Sequence, residues 1–217
     1  MVSLVKNTIS SMDIINPSFK PLVKIAIKAT LLATGAVFAP WESIRIIGLT
    51  ILTGVGYGIA NDMVACRDCI EYFTVGHRYD GQELRNRPIK TLNPTLNAFV
   101  WGMIATWHVC ALAGTILACI ARTPFPGLAL KISAMQLAPY LAIGAALTII
   151  TGHVVSRTSQ KAMTKLPYFK YQGVPLKLQP GWEACNMRNL TGYSALALGA
   201  LALSVAMVAA RIGLIGL

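Results

Sequence analysis

Residues 97–121 read NAFVWGMIATWHVCALAGTILACIA, an almost uninterrupted apolar run in which His108 is the one ionisable side chain. An α-helix rises about 1.5 Å per residue, so about 20 apolar residues cross the hydrocarbon core of a bilayer. This stretch is long enough to do so and holds no turn signal. Three further blocks share its character. Residues 43–60 are apolar and glycine-rich, with IRIIGLTILTGVGYGIA at their heart. Residues 132–155 are interrupted by Pro139, which a membrane helix tolerates as a kink. Residues 192–215 are nearly all Ala, Leu, Val, Gly and Ile.

A fifth block, residues 22–39, carries Lys24 and Lys28 on one helical face. It reads either as an amphipathic helix in the interface or as a span whose lysines snorkel to one surface. Loop charge favours the span. With five spans, 15 of the 19 basic residues fall on one side and 4 on the other; with four spans the division is 11 to 8. Basic loops stay in the cytoplasm. The expectation is therefore an all-α bundle of five spans, alternatively four, forming a single membrane domain over residues 1–217. Its N-terminus is cytoplasmic, its C-terminus is outside, and its cytoplasmic loops are 61–96 and 156–189. The first two spans then form a hairpin turned at Ala39-Pro40-Trp41-Glu42. A cleaved signal peptide fits less well, because a long polar stretch precedes residue 22 and Pro40 follows the plausible cleavage point.

Composition agrees. The chain is 55% hydrophobic and 12% charged, where soluble domains carry about 25% charged residues. The net charge of +11 lies in loops between apolar blocks, without a basic stripe of interleaved stacking aromatics. That pattern speaks for anionic lipid headgroups and against nucleic acid. The loop from Lys165 to Trp182 sets Tyr168, Phe169, Tyr171 and Trp182 among lysines, as an interfacial loop would. The five cysteines, Cys66, Cys69, Cys110, Cys119 and Cys185, are odd in number and partly within spans, so they do not form a disulfide scaffold. No internal repeat supports an inverted-repeat transporter.

Small residues mark packing faces. Gly54 and Gly58 form a GxxxG pair, and Ala195 with Gly199 continues such spacing in the last span. The expected contact joins these two faces, within one chain or between copies. The segment from Gly56 to Gly81 carries the densest polar content. A helix continued to Phe73 puts Asp62, Cys66, Cys69 and Phe73 on one face, with Arg67 and Glu71 at i,i+4 on another; Gly76 then lets His77 fold back. Asp62, Cys66, Cys69 and His77 are weak candidates for zinc, since no second Cys-x-x-Cys pair exists. A redox dithiol lacks its βαβ context.

The run Asn61-Asp62, Arg67 and Glu71-Tyr72-Phe73-Thr74-Val75-Gly76-His77 resembles a motif in uncharacterised multi-pass bacterial membrane proteins. The block Trp101-Gly102-Met103-Ile104-Ala105-Thr106-Trp107 is similar to theirs as well. The likeness covers about residues 54–121, roughly a third of the chain. It implies a protein of the bacterial inner membrane and carries no activity or cofactor with it. The paired cysteines are not part of the motif.

His108 in mid-span and His153 near the cytoplasmic end are the remaining candidates, because ionisable groups in spans usually face the bundle interior. With Asn61, Asp62, Arg67, Glu71 and His77 they make up the candidate polar site, of which Asp62, Glu71, His77 and His153 fall toward the cytoplasmic interface and suggest a polar vestibule there. No Ser-His-Asp order, phosphate loop or HExxH is present. The leading expectation is a membrane interaction or assembly component with a homo-oligomeric or membrane-protein partner; the alternatives are a small-solute or ion transporter using Asp62, His108 and His153, and a membrane-embedded metalloenzyme using Asp62, Glu71 and His77.

Overall fold

The computed structural model describes residues 41–76, 89, 91–123, 131–165 and 173–216. The expected span at 22–39 and His77 lie outside the described residues. Four long helices make the bundle: α1 (Trp41–Asp68), α2 (Pro94–Arg122), α3 (Ala134–Lys165) and α4 (Gln179–Arg211). A π-helical turn over Tyr72–Gly76 follows α1, and a 3₁₀ turn over Leu176–Leu178 leads into α4. The chain is thus an all-helical membrane bundle, with four described helices long and apolar enough to cross a bilayer.

α2 and α3 start where their first N–H groups find side-chain acceptors. Asn93 Oδ1 accepts from the backbone of Thr95 and Leu96, at 3.0 and 3.1 Å, ahead of Pro94 in the first turn of α2. Ser133 and Gln136 form a reciprocal capping box before α3: Gln136 Oε1 accepts from Ser133 N at 3.0 Å and Ser133 Oγ from Gln136 N at 3.4 Å. Glu42 of α1 adds a third acceptor there, taking the Ala134 N–H at 2.7 Å. At the same end of the bundle the buried Arg211 guanidinium donates to the carbonyls of Ile120 and Thr123, which terminate α2. Such cross-helix caps satisfy orphan groups where water is scarce. α3 runs on through Pro139.

Helices exceed the apolar blocks that announced them. α1 continues to Asp68 rather than residue 60, α3 reaches Lys165 rather than 155, and α4 begins at Gln179 rather than 192. The two expected cytoplasmic loops are therefore helical at both ends. Apolar length measures the hydrocarbon crossing, whereas backbone hydrogen bonding carries a helix past it.

α1 packs chiefly on α2 and α3 chiefly on α4. The α1–α2 seam corrects the expected partner of the glycine face. A Cβ on Gly58 would lie 2.5 Å from the Gly102 carbonyl oxygen, and one on Gly54 2.0 Å from Cys110 Sγ. The complementary ridge on α2 is Gly102, Thr106, Cys110 and Gly114, four small residues at i,i+4 spacing. Gly199 in α4 has nothing within 4 Å of its Cβ position, so the Ala195–Gly199 face does not receive α1. A glycine ridge pairs best with a second small-residue ridge, and α2 offers the longer one.

Two apolar clusters hold the ends. Ile46, Leu117, Leu137 and Met207 bring all four helices together at the Arg211 end. Cys66, Cys69, Phe73, Ala98, Trp182 and Cys185 fill the other. Outward, large apolar side chains stand exposed along α2, α3 and α4, among them Leu112, Ile143, Leu147, Leu198 and Leu201. A girdle of this extent belongs against acyl chains, not water.

Candidate functional site

Polar side chains gather inside the bundle at the end where α1 stops and α4 starts. Asn61 and Asp62 sit on the second-last turn of α1, each 6% exposed. Asn61 Nδ2 donates to Asp62 Oδ1 at 3.1 Å and to Asn189 Oδ1 of α4 at 3.3 Å. Asn189 Nδ2 in turn donates to the Tyr72 hydroxyl in the π turn at 3.4 Å. This chain of bonds borders a pocket of about 340 Å³ between α1, α2, α4 and the π turn. Tyr57, Asp62, Tyr72, Trp101, Thr106 and Tyr193 line it. Among the described residues, no Lys, Arg or His nitrogen comes within 4 Å of the Asp62 carboxylate.

Nearly two helical turns further along α1, Asp68 anchors a second cluster. Its carboxylate meets Arg157 of α3 at 2.9 Å and Arg188 of α4 at 3.4 Å. Arg188 is almost fully buried and also donates to Ser156 Oγ at 2.9 Å. A guanidinium at such depth is tolerated only with its charge met, and here Nη2 makes both contacts while Nε is buried without a hydrogen-bond partner among the described residues. Asp68 thereby ties three helices together beside the pocket. Gly181 of α4 permits the approach, since a Cβ there would lie 2.6 Å from the Asp68 carbonyl oxygen, whereas a Cβ on Gly152 of α3 would meet Arg188 at an ordinary contact distance of 3.7 Å.

Several expected site residues fall elsewhere. His108 points outward, with Nδ1 3.2 Å from its own helix's Ile104 carbonyl. It lies two positions from the pocket residue Thr106, hence about 200° around the helix. The bond to its own i−4 carbonyl removes the need for an interior partner. His153 is exposed on α3, one step beyond Gly152, whose face receives Arg188. Neither histidine joins Asp62.

Arg67 and Glu71 do not pair either. α1 breaks at Cys69, which ends their helical register. Arg67 donates to the Met63 carbonyl and, at 3.1 Å, to Thr95 Oγ1 of α2. Glu71 Oε2 accepts from Cys69 Sγ at 3.6 Å.

Cys66 and Cys69 pack with Cys185, Phe73 and Trp182 in the apolar cluster. Burial, with the Glu71 carboxylate adding to it, pushes the Cys69 thiol up to about 11. It is a protonated packing group at neutral pH rather than a redox nucleophile. Among the described residues no three His, Cys, Asp or Glu side chains come close enough to share a metal ion.

Tyr57, Ser156, Arg188, Asn189 and Tyr193 are not among the candidates that the sequence suggests, and Asp68 stands out there only as a charge on the helical face of Arg67 and Glu71. For Asn189 and Tyr193 the signal is periodic: Trp182, Cys185, Asn186, Asn189 and Tyr193 recur at helical spacing, which marks one partly polar face running into the last span. Comparison of the chain with protein-family models, curated proteins and solved structures finds no match.

Proposed function

We propose that this multi-pass membrane protein binds a small polar solute in the pocket beside Asp62 and carries it across the bacterial inner membrane. The supporting observation is the pocket itself: about 340 Å³, with a carboxylate and a carboxamide network set inside the helical bundle. Cavities of about 300–1,000 Å³ with a few convergent polar groups are the usual form of small-molecule sites. The charge bias of the loops puts this end in the cytoplasm, with Lys161, Lys165 and Lys177 near anionic headgroups. His108 and His153 take no part, so the carrier reading rests on Asp62, Asn61 and Asn189 instead.

The test is thermal unfolding of the detergent-purified protein against a panel of amines, carboxylates, sugars and amino acids. At least one class should raise the midpoint saturably, and Ala105→Trp, which fills the pocket, should abolish the rise. Proteoliposomes should then take up that solute. A panel without any pocket-dependent shift sinks the proposal.

Assembly is the second reading. Gly199 and Ala202 leave a small-residue patch exposed on α4, suited to a second copy or another membrane helix. Cysteine cross-linking through Gly199→Cys in native membranes would show a dimer band if copies meet there. Its absence removes a self-contact on that face.

A further inference from the structure

We infer that the ligand of this pocket is an organic cation, an amine or quaternary ammonium group, held by the Asp62 carboxylate against aromatic faces. The inference rests on the pocket being a solute site at all. Three features narrow the chemistry. First, among the described residues the one charged side chain lining the pocket is Asp62, and the one hydrogen bond its carboxylate accepts from them comes from Asn61, so it retains capacity toward the cavity. The neighbouring guanidinium of Arg188 is engaged by Asp68 and Ser156, which leaves the negative group as the recognition element.

Second, the remaining walls are rich in rings: Tyr57, Tyr72, Trp101 and Tyr193. Tyr72 is braced edge-on by Trp182, with ring centroids 5.2 Å apart, and by Phe73 at 5.3 Å. Aromatic faces attract cations most strongly where water is excluded, and quaternary ammonium groups are bound in this way. Third, at about 340 Å³ the cavity is too large for a bare inorganic ion, and among the described residues Asp62 is its one carboxylate. Calcium takes about 6–8 oxygen ligands and magnesium about six in a tight octahedron, whereas here one carboxylate shares the space with rings and amides. An anion would meet Asp62 with repulsion, and a neutral sugar would leave the carboxylate without a counter-charge.

The same cation is available free in the cytoplasm or on an amine-bearing lipid headgroup. Tyr193 and Leu190, both at the pocket and about half exposed, stand on the lipid-facing side of α4.

The experiment measures binding of an isosteric charge series to the full chain in phosphatidylglycerol nanodiscs. Tetramethylammonium and ethylammonium are the cations, 2,2-dimethylpropanol and propanol the neutral probes, pivalate the anion. The cations should bind saturably and the others at least tenfold more weakly. Asp62→Asn, isosteric and expected to elute as wild type, should weaken the cations by about tenfold to a hundredfold, the range for a charge-assisted bond. Trp101→Leu should weaken tetramethylammonium while leaving the carboxylate in place. Adding phosphatidylethanolamine separates the sources: competition assigns the headgroup, and its absence a free amine. Equal binding of the neutral isostere, or preference for pivalate, overturns the cation assignment but leaves a solute pocket. No binding by any probe overturns both, and the wild-type charge series decides even if a variant fails to fold.

Discussion

Arg188 shows how much a single residue can carry in this bundle. Its guanidinium is buried at the junction of α1, α3 and α4 and is held by Asp68 and Ser156. Removing the acidic partner leaves a charge with no water to take its place, which typically costs about 3–5 kcal/mol. Asp68→Asn should therefore lower the unfolding midpoint in detergent far more than Arg157→Gln, because the Arg157 side chain is 39% exposed and can turn to solvent. The double variant Asp68→Leu with Arg188→Met should recover most of the loss, since an apolar pair removes both buried charges. Equal midpoints for Asp68→Asn and Arg157→Gln would contradict this account. Asp62 differs from Asp68 in the same terms. It has a comparable depth but faces a cavity instead of a cation, and that contrast marks one carboxylate as structural and the other as available.

At the scale of elements, the bundle is two helix pairs joined by polar pins, and the closest backbone approach is the Gly58–Gly102 crossing. Positions where a Cβ would fall 2.5 Å from backbone atoms have no room to relax. Gly58→Ile and Gly102→Ile should each destabilise the fold by about 1–3 kcal/mol or more, visible as aggregation on gel filtration or a lower midpoint. Gly56→Ile and Gly199→Ile should change little, because nothing stands within 4 Å of either. A tolerated Gly58→Ile would refute the crossing. The helices themselves were legible in the sequence, since a run such as residues 97–121 has no alternative in lipid. Their partners were not. Two glycines one turn apart declare a close contact without saying with what, and the matching ridge on α2 was masked by Thr106 and Cys110 standing between its glycines. The site was legible in part: Asn61 and Asp62 were singled out by their polarity at a span's end. His108 misled because depth alone was taken to imply an inward direction, whereas a side chain bonded to its own helix can face outward. Arg188 was counted as a loop charge because α4 begins well before its apolar part.

For the whole molecule, the distribution of function along the membrane normal follows from charge. The far end of the bundle is closed by apolar packing around Ile46, Leu137 and Met207, and by the caps from Glu42 and Arg211. The opposite end holds the pocket, the π turn and the Asp68 cluster. Translocation of basic loops is disfavoured, so the end bearing 15 of the 19 basic residues should remain cytoplasmic if residues 22–39 also span. The described helices fix the relative orientation. Residues 76 and 173 lie at the pocket end and Arg211 at the other, so the C-terminus must be on the side away from the pocket whichever way the bundle inserts. Reporter fusions at His77 and at Lys170 should both give the cytoplasmic signal, and a fusion at Leu217 the external one. The N-terminus then decides the span number: a cytoplasmic signal before residue 22 requires five crossings, and an external one requires four. Cytoplasmic signals at both Lys170 and Leu217 would break the arrangement, since α4 could not then cross the membrane. The pocket would in that case stand outside any transport path, and the carrier proposal would fall with the topology.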